Sequence, residues 1–132
     1  MKRVYSQTIE VPGRLWTLNG ERKFRHWSER SNQTAIWRHA VAVEAKSAHF
    51  VPMQPARIRI VPMQRSGVLA DVGAHFPVAK AAIDGLVDAG FMDDDSPRHL
   101  IELTMSRPVR ADHDGLVITM FQLVIDAERD IH

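Results

Sequence analysis

Residues Ala70 to Ser96, ADVGAHFPVAKAAIDGLVDAGFMDDDS, place one short helix between two acidic segments, and the rest of the chain reads outward from them. The spacing predicts a helix from Pro77 to about Ala89. Proline is tolerated in a first helical turn because its missing N–H has no intrahelical partner there. Gly90 best accepts a left-handed position just past the end. Asp71 falls in the loop before the helix, Lys80 on its first turn, and Asp93, Asp94 and Asp95 in the turn after it. A helix of this length spans about 20 Å, and five extended residues retrace about 16 Å. Asp95 can therefore return to the neighbourhood of Asp71 and Lys80. Carboxylates with one lysine suit a hard metal ion, since Mg²⁺ is usually held by one or two protein carboxylates plus water and phosphate oxygens. Two plainer readings stand beside this one. The Asp run also suits a solvated turn, and Lys80, Asp84 and Asp88, spaced i, i+4, i+8, also suit an exposed ion-pair stripe.

Outward from this block, Val4 to Val11 alternates as a strand with Tyr5, Gln7, Ile9 and Val11 on one side, ending at Pro12-Gly13. A helix is expected from about Asn32 to Ala48, capped by Ser31, with Ile36, Ala40 and Val43 on its apolar side and Arg38 opposite. Pro55 to Val61 reads as a second strand with Ile58 and Ile60 inward and Arg57 and Arg59 outward, broken by Pro62 and the Arg65-Ser66-Gly67 turn. His99 to Met105 reads as a third strand. SRPVRADHDG then reads as a hairpin loop turning at Asp114-Gly115. Leu116 to Ile125 is almost wholly apolar, as expected of a strand covered on both faces or lying in an interface. The order β-α-β-α-β-β predicts an α/β (α+β) fold of two layers, a mixed sheet with two helices on one face.

The 132 residues, 45% apolar and 25% charged, suffice for one domain with a sizeable core, residues 1–132. There is no cysteine, so disulfides and thiolate metal sites are excluded. No apolar run reaches the roughly 18 residues of a membrane span, and the N-terminal residues have no hydrophobic signal core. A cytoplasmic protein with no membrane partner is expected. The net charge of +1 hides a reversal along the chain. Residues 1–50 hold nine Lys/Arg against four Asp/Glu, and residues 81–132 hold four against eleven. A basic first half suits a phosphate backbone while acids gather elsewhere for a metal, unless the two fields cancel on the folded surface.

The likeliest DNA contact by composition is WTLNGERKFRHW, Trp16 to Trp27, read as a surface loop. Asn19, Arg22, Lys23, Arg25, His26, Trp27 and Arg30 mix phosphate-binding charge with one stackable ring. Arg38 and Arg65 extend this candidate nucleic-acid surface. Trp16 and Trp27 themselves are expected as core anchors.

Two motifs carry a family resemblance. The first is D-x(5)-P-x-x-K-A-A-x-D-G-L-V-D-A-G-F, from Asp71 to Phe91, followed after Met92 by D-D-D-S. The second is HWxxRxxxTxxWR, here His26, Trp27, Arg30, Thr34, Trp37 and Arg38. Together they resemble the RusA family of Holliday junction resolvases, specifically its phage and prophage branch of the actinobacterial type. The resemblance spans most of the chain. It implies an α/β fold and a Mg²⁺-dependent endonuclease, with Mn²⁺ as the alternative metal, that resolves four-way DNA junctions as a homodimer. It implies a catalytic set of Asp71, Lys80, Asp94 and Asp95, with Asp95 at the essential position and the metal on Asp71 and Asp95. The pattern normally carries a second acid or an Asn just after the first, as D-x-D-N or D-x-x-N, where this chain has Val72, Gly73 and Ala74. His75 is the candidate substitute ligand, although imidazole suits Mn²⁺ or Zn²⁺ better than Mg²⁺. If the segment is extended, Gly73→Asp would put the missing acid on the face of Asp71. The family's arginine run before the first Asp is reduced to Arg65. The alternative function is a DNA-binding relative of the same fold that has lost catalysis.

Overall fold

A computed structural model describes residues 2–24 and 26–125, with side chains described outside 2–4, 22–23 and 123–125. Strands β1 (Lys2–Pro12), β2 (Ala56–Gln64), β3 (Leu100–Met105), β4 (Val109–Arg110) and β5 (Gly115–Ile125) form one mixed sheet with the helices α1 (Trp27–Ser47) and α2 (Phe76–Asp88) between them in sequence. β5 lies between β1 and β2, antiparallel to both, while β3 runs parallel to β2 on its other edge. The short β4 pairs in parallel further along β2. The expected fold class, a mixed sheet with two helices, is the one observed.

Register explains which face is covered. Ile9, Ile118 and Ile60 stand opposite one another across three strands, Val11 opposes Leu116, and Met120 opposes Ile58. All are buried and belong to one continuous core with the inner sides of α1 and α2. Because side chains alternate along a strand, the residues between them look the other way. Thr8 and Thr119 there share a hydrogen bond at 2.9 Å, and Arg59 Nε donates to Ser106 Oγ at 3.0 Å. The apolar β5 is thus central in the sheet, with the core of this chain against one of its faces and not both.

α2 matches its predicted bounds to within one residue, with proline in its first turn and Gly90 at φ +86° after its end. Gly85 is where the helices meet. A Cβ there would stand 2.6 Å from the Arg38 carbonyl oxygen and 3.0 Å from Val41 Cβ, so only a missing side chain lets α1 and α2 approach this closely.

Several expectations are corrected. α1 begins at Trp27, so Ser31 lies inside the helix, and His26 at the cap position makes no side-chain cap bond. The buried stripe is Trp37, Val41 and Ala45, whereas Ile36 is 57% exposed and Val43 is exposed too. Trp37 is the largest apolar side chain of that helix to enter the core, and its burial sets the helix rotation; its indole Nε1 donates to the Arg14 carbonyl at 2.7 Å. Trp16 is buried as expected, but Trp27 is 79% exposed, because it opens α1 on the solvent side.

Pro62 does not break β2. The Ile60 carbonyl accepts from Ser106 N and the Gln64 carbonyl from Ala111 N, on the β3–β4 edge. Residues two apart aim their backbone groups at the same edge, so Pro62 lacks its N–H in the gap between the two partner strands, where no donor is needed. Nor is there a hairpin at Asp114-Gly115. β2 lies between β4 and β5, so residues 111–114 cross from one side of β2 to the other instead of reversing into a neighbour.

Candidate active site and nucleic-acid interface

The turn leading into α2 is tight, not extended. The Asp71 carbonyl accepts from Ala74 N at 3.0 Å, the Gly73 carbonyl from Phe76 N at 3.1 Å, and Gly73 sits at φ +83°. Asp71 is exposed at the head of this turn. Leu18 N donates to the Ala74 carbonyl at 3.1 Å, which ties the cationic loop before α1 to the same turn. That loop contains a 3₁₀ helix, Asn19–Lys23, where a loop without regular structure was expected. Trp16 and Phe24 pack edge to face with centroids 5.8 Å apart, and the Arg14 guanidinium lies 5.1 Å from the Phe24 ring centre.

At the other end of α2 the three consecutive aspartates diverge. Asp93 pairs with the Gln54 side chain, whose Nε2 donates to Oδ2 at 3.2 Å and whose Oε1 accepts from Asp93 N at 2.9 Å. Asp94 Oδ1 accepts from Ser96 N at 2.9 Å and sits 2.8 Å from His99 Nδ1. These bonds to Ser96 and His99 hold the Asp94 carboxyl well below the usual range. Asp95 alone comes back along α2, where its Oδ2 accepts from Lys80 Nζ. Lys80 also donates to Asp84 Oδ1 at 3.3 Å. The ion-pair stripe is split, since Asp88 leaves it for a two-pronged bond with Arg38, Nε to Oδ2 at 2.8 Å and Nη2 to Oδ1 at 2.7 Å. That bond raises the Arg38 pKa and lowers that of Asp88.

The structure therefore joins Lys80 to Asp95, as the length of the return loop suggested, and adds Asp84, which entered the sequence reading only as a member of the stripe. Asp94 is committed to its own turn. His75 is 4% exposed, and its Nδ1 is buried without a hydrogen-bond partner. Burial lowers its pKa, with the Asp114 charge opposing. His75 is thus packed into the protein, because α2 starts immediately after it and carries it under the turn; it does not stand among the exposed carboxylates as a metal ligand would. Among the described residues no group of three or more His, Cys, Asp or Glu side chains is gathered to hold a metal ion.

Of the expected nucleic-acid contacts, Asn19, Arg30, Arg38 and Arg65 are exposed. Arg30 Nη1 lies 3.5 Å from Glu21 Oε2, and Arg38 is engaged by Asp88. The side chains of Arg22 and Lys23, and the whole of Arg25, lie outside the described residues. Glu21 was not singled out by the sequence, yet its carboxylate takes both Arg30 and, at 3.5 Å, the Trp16 indole N–H. No helix among the described residues is long and apolar enough to cross a membrane. No family model matches the chain, and no curated protein matches it.

Proposed function

We propose that the protein is a metal-dependent, structure-selective endonuclease that resolves four-way DNA junctions. The observation that carries this reading is the return of Asp95 across α2 to Lys80, while its neighbours Asp93 and Asp94 turn elsewhere. The resemblance of the Asp71–Ser96 block assigns catalysis to these two positions together with Asp71 and Asp94. The cationic loop, tethered to the Asp71 turn through Leu18 and Ala74, supplies an adjoining surface for the phosphate backbone.

The donor chemistry fits Mg²⁺ or Mn²⁺ held mainly by water and phosphate. Asp71 is exposed, and Asp95 keeps Oδ1 free of protein donors among the described residues, so these two carboxylates would hold the ion. The bound ion would supply Lewis-acid stabilisation and an activated water. Lys80 donates to both Asp84 and Asp95, and held between them it supplies a positive charge for the phosphate in transit. Asp84 accepts from the same ammonium as Asp95 and so helps to position that charge. A four-way junction has two-fold symmetry and needs two cuts, so the working unit is a homodimer.

The second reading is a junction-binding relative without catalysis. It is favoured by the missing acid at positions 72 to 74 and by the lack of a larger ligand cluster among the described residues. Incubating the protein with a synthetic four-way junction and with linear duplex of the same sequence, in Mg²⁺ or Mn²⁺, separates the two. Cuts confined to the junction support the nuclease. Binding without cuts in either metal supports the second reading.

A further inference from the structure

A cleft of about 300 Å³ opens beside Lys80, between the loop before α1, the first turns of α1 and the first turns of α2. Trp16, Leu18, Phe76 and Pro77 line it together with the polar side chains of Arg30 and Thr34. Leu18 is 55% exposed and Phe76 41% exposed, so two large apolar side chains face solvent across a small slot. The slot is built rather than incidental. Leu18 is fixed by its N–H bond to Ala74, the Trp16 indole by Glu21, and Glu21 in turn by Arg30.

Size and charge define the occupant. The volume lies at the lower end of the range for small-ligand pockets, too small for a partner helix or strand. The charges around it lean negative, since Arg30 faces Glu21 while Lys80 faces two carboxylates, Asp84 and Asp95. A flat, neutral ring with polar edges fits such a slot better than an isolated anion does. Thr34 and Arg30 provide donors, and the carboxylate of Asp84 an acceptor, at the edge where a ring's polar groups would lie.

We infer that this cleft receives one unstacked nucleobase, lying against Phe76 and Leu18, from the strand whose phosphate is presented to Lys80. The inference rests on the nuclease reading for the identity of that strand. It goes further in assigning a base subsite to residues outside the acidic motif. Stacking of a base on an aromatic side chain is tolerant of sequence, so the subsite selects for strand opening, which a four-way junction offers at its centre and a linear duplex does not. Phe76, Leu18 and Arg30 are thereby specificity residues, and the cleft helps discriminate branched from linear DNA.

The indole N–H groups supply the test. In an NMR titration, the Trp16 signal reports on the cleft, and that of Trp37, bonded to the Arg14 carbonyl, serves as an internal control. The probes are a four-nucleotide single-stranded DNA and inorganic phosphate. The oligonucleotide is expected to shift the Trp16 signal saturably while phosphate and linear duplex do not, with Leu18→Ser and Phe76→Ala each weakening the response at least fivefold. The Trp37 signal shows that each variant is folded. An equal response to phosphate, or no Trp16 response from wild type, overturns the inference. Cleavage of junctions without a Trp16 response would defeat the base subsite and leave the nuclease reading intact. A Trp16 response without cleavage in any metal would do the reverse.

Discussion

Asp95 gives one carboxylate oxygen to Lys80 and keeps the other free of donors among the described residues, whereas Asp94 spends its carboxylate on Ser96 and His99. Asp95→Asn is therefore expected to lower junction cleavage at least a hundredfold while changing junction affinity less than about threefold, because lost charge at a ligand falls on the transition state more than on phosphate grip. Gel-shift and single-turnover assays on one preparation check both numbers. The turn at Gly73 alters how the missing acid can be restored. At φ +83° a side chain at 73 is strained and does not share a face with Asp71, so Ala74→Asn, not Gly73→Asp, is the substitution expected to raise Mg²⁺-dependent cleavage. His75 predicts a pH effect on folding. Its folded-state pKa lies below its unfolded value of about 6.5, so its contribution is fully present above that pH and is lost as the pH falls toward the folded pKa. His75→Leu should flatten the loss of stability between pH 7.5 and 5 in urea melts. Helix length and loop length allowed Asp95 to return to the neighbourhood of Lys80, but they did not choose this pairing over a solvated turn. The burial of His75 was not legible, since a histidine in a polar loop carries no sign of which way the following helix will turn it.

At the scale of elements, Gly85 decides how closely α1 and α2 pack. Gly85→Ala drives a methyl group into the Arg38 carbonyl and Val41, and overpacking of this kind costs about 1–3 kcal/mol. The urea midpoint should fall accordingly, although alanine is the better helix former. α2 was readable because its apolar side is broad and both its ends are punctuated by Pro77 and Gly90. α1 was readable as a helix but not in its rotation. Its apolar residues are scattered around the axis, and the choice between a stripe through Ile36 and one through Trp37 depends on the Arg14 carbonyl waiting for the indole. β2 was cut short at Pro62 for a similar reason. A proline forbids a ladder bond only where a partner needs one, and the gap between β3 and β4 cannot be seen in the local sequence.

Over the whole molecule, the excess of basic residues in the first half predicts a strongly salt-dependent grip on DNA. Changing Arg22, Lys23 and Arg25 together to Ala should reduce the slope of log affinity against log salt by about 2 to 3, close to one unit for each phosphate contact removed. An unchanged slope would move the backbone contact to another face. Layering and the four longer strands followed from hydrophobic patterning, but the two-residue β4 and the strand order did not, because patterning tells which face of a strand is buried and not which strand lies beside it. That order also sets when the protein can fold. Among the described residues β1 takes its strand partner from β5 alone, with Lys2 opposite Ile125, so nearly the full described length must leave the ribosome before β1 has a sheet to join. Until then the parallel pair of β2 and β3 leaves the β5-facing edge of β2 open as well as the outer edge of β3, which is an invitation to aggregation that a nascent chain has to survive. A ribosome-stalled chain ending before Gly115 should accordingly be protease-sensitive through β1 and α1, and resistance should arrive in a single step once β5 has emerged.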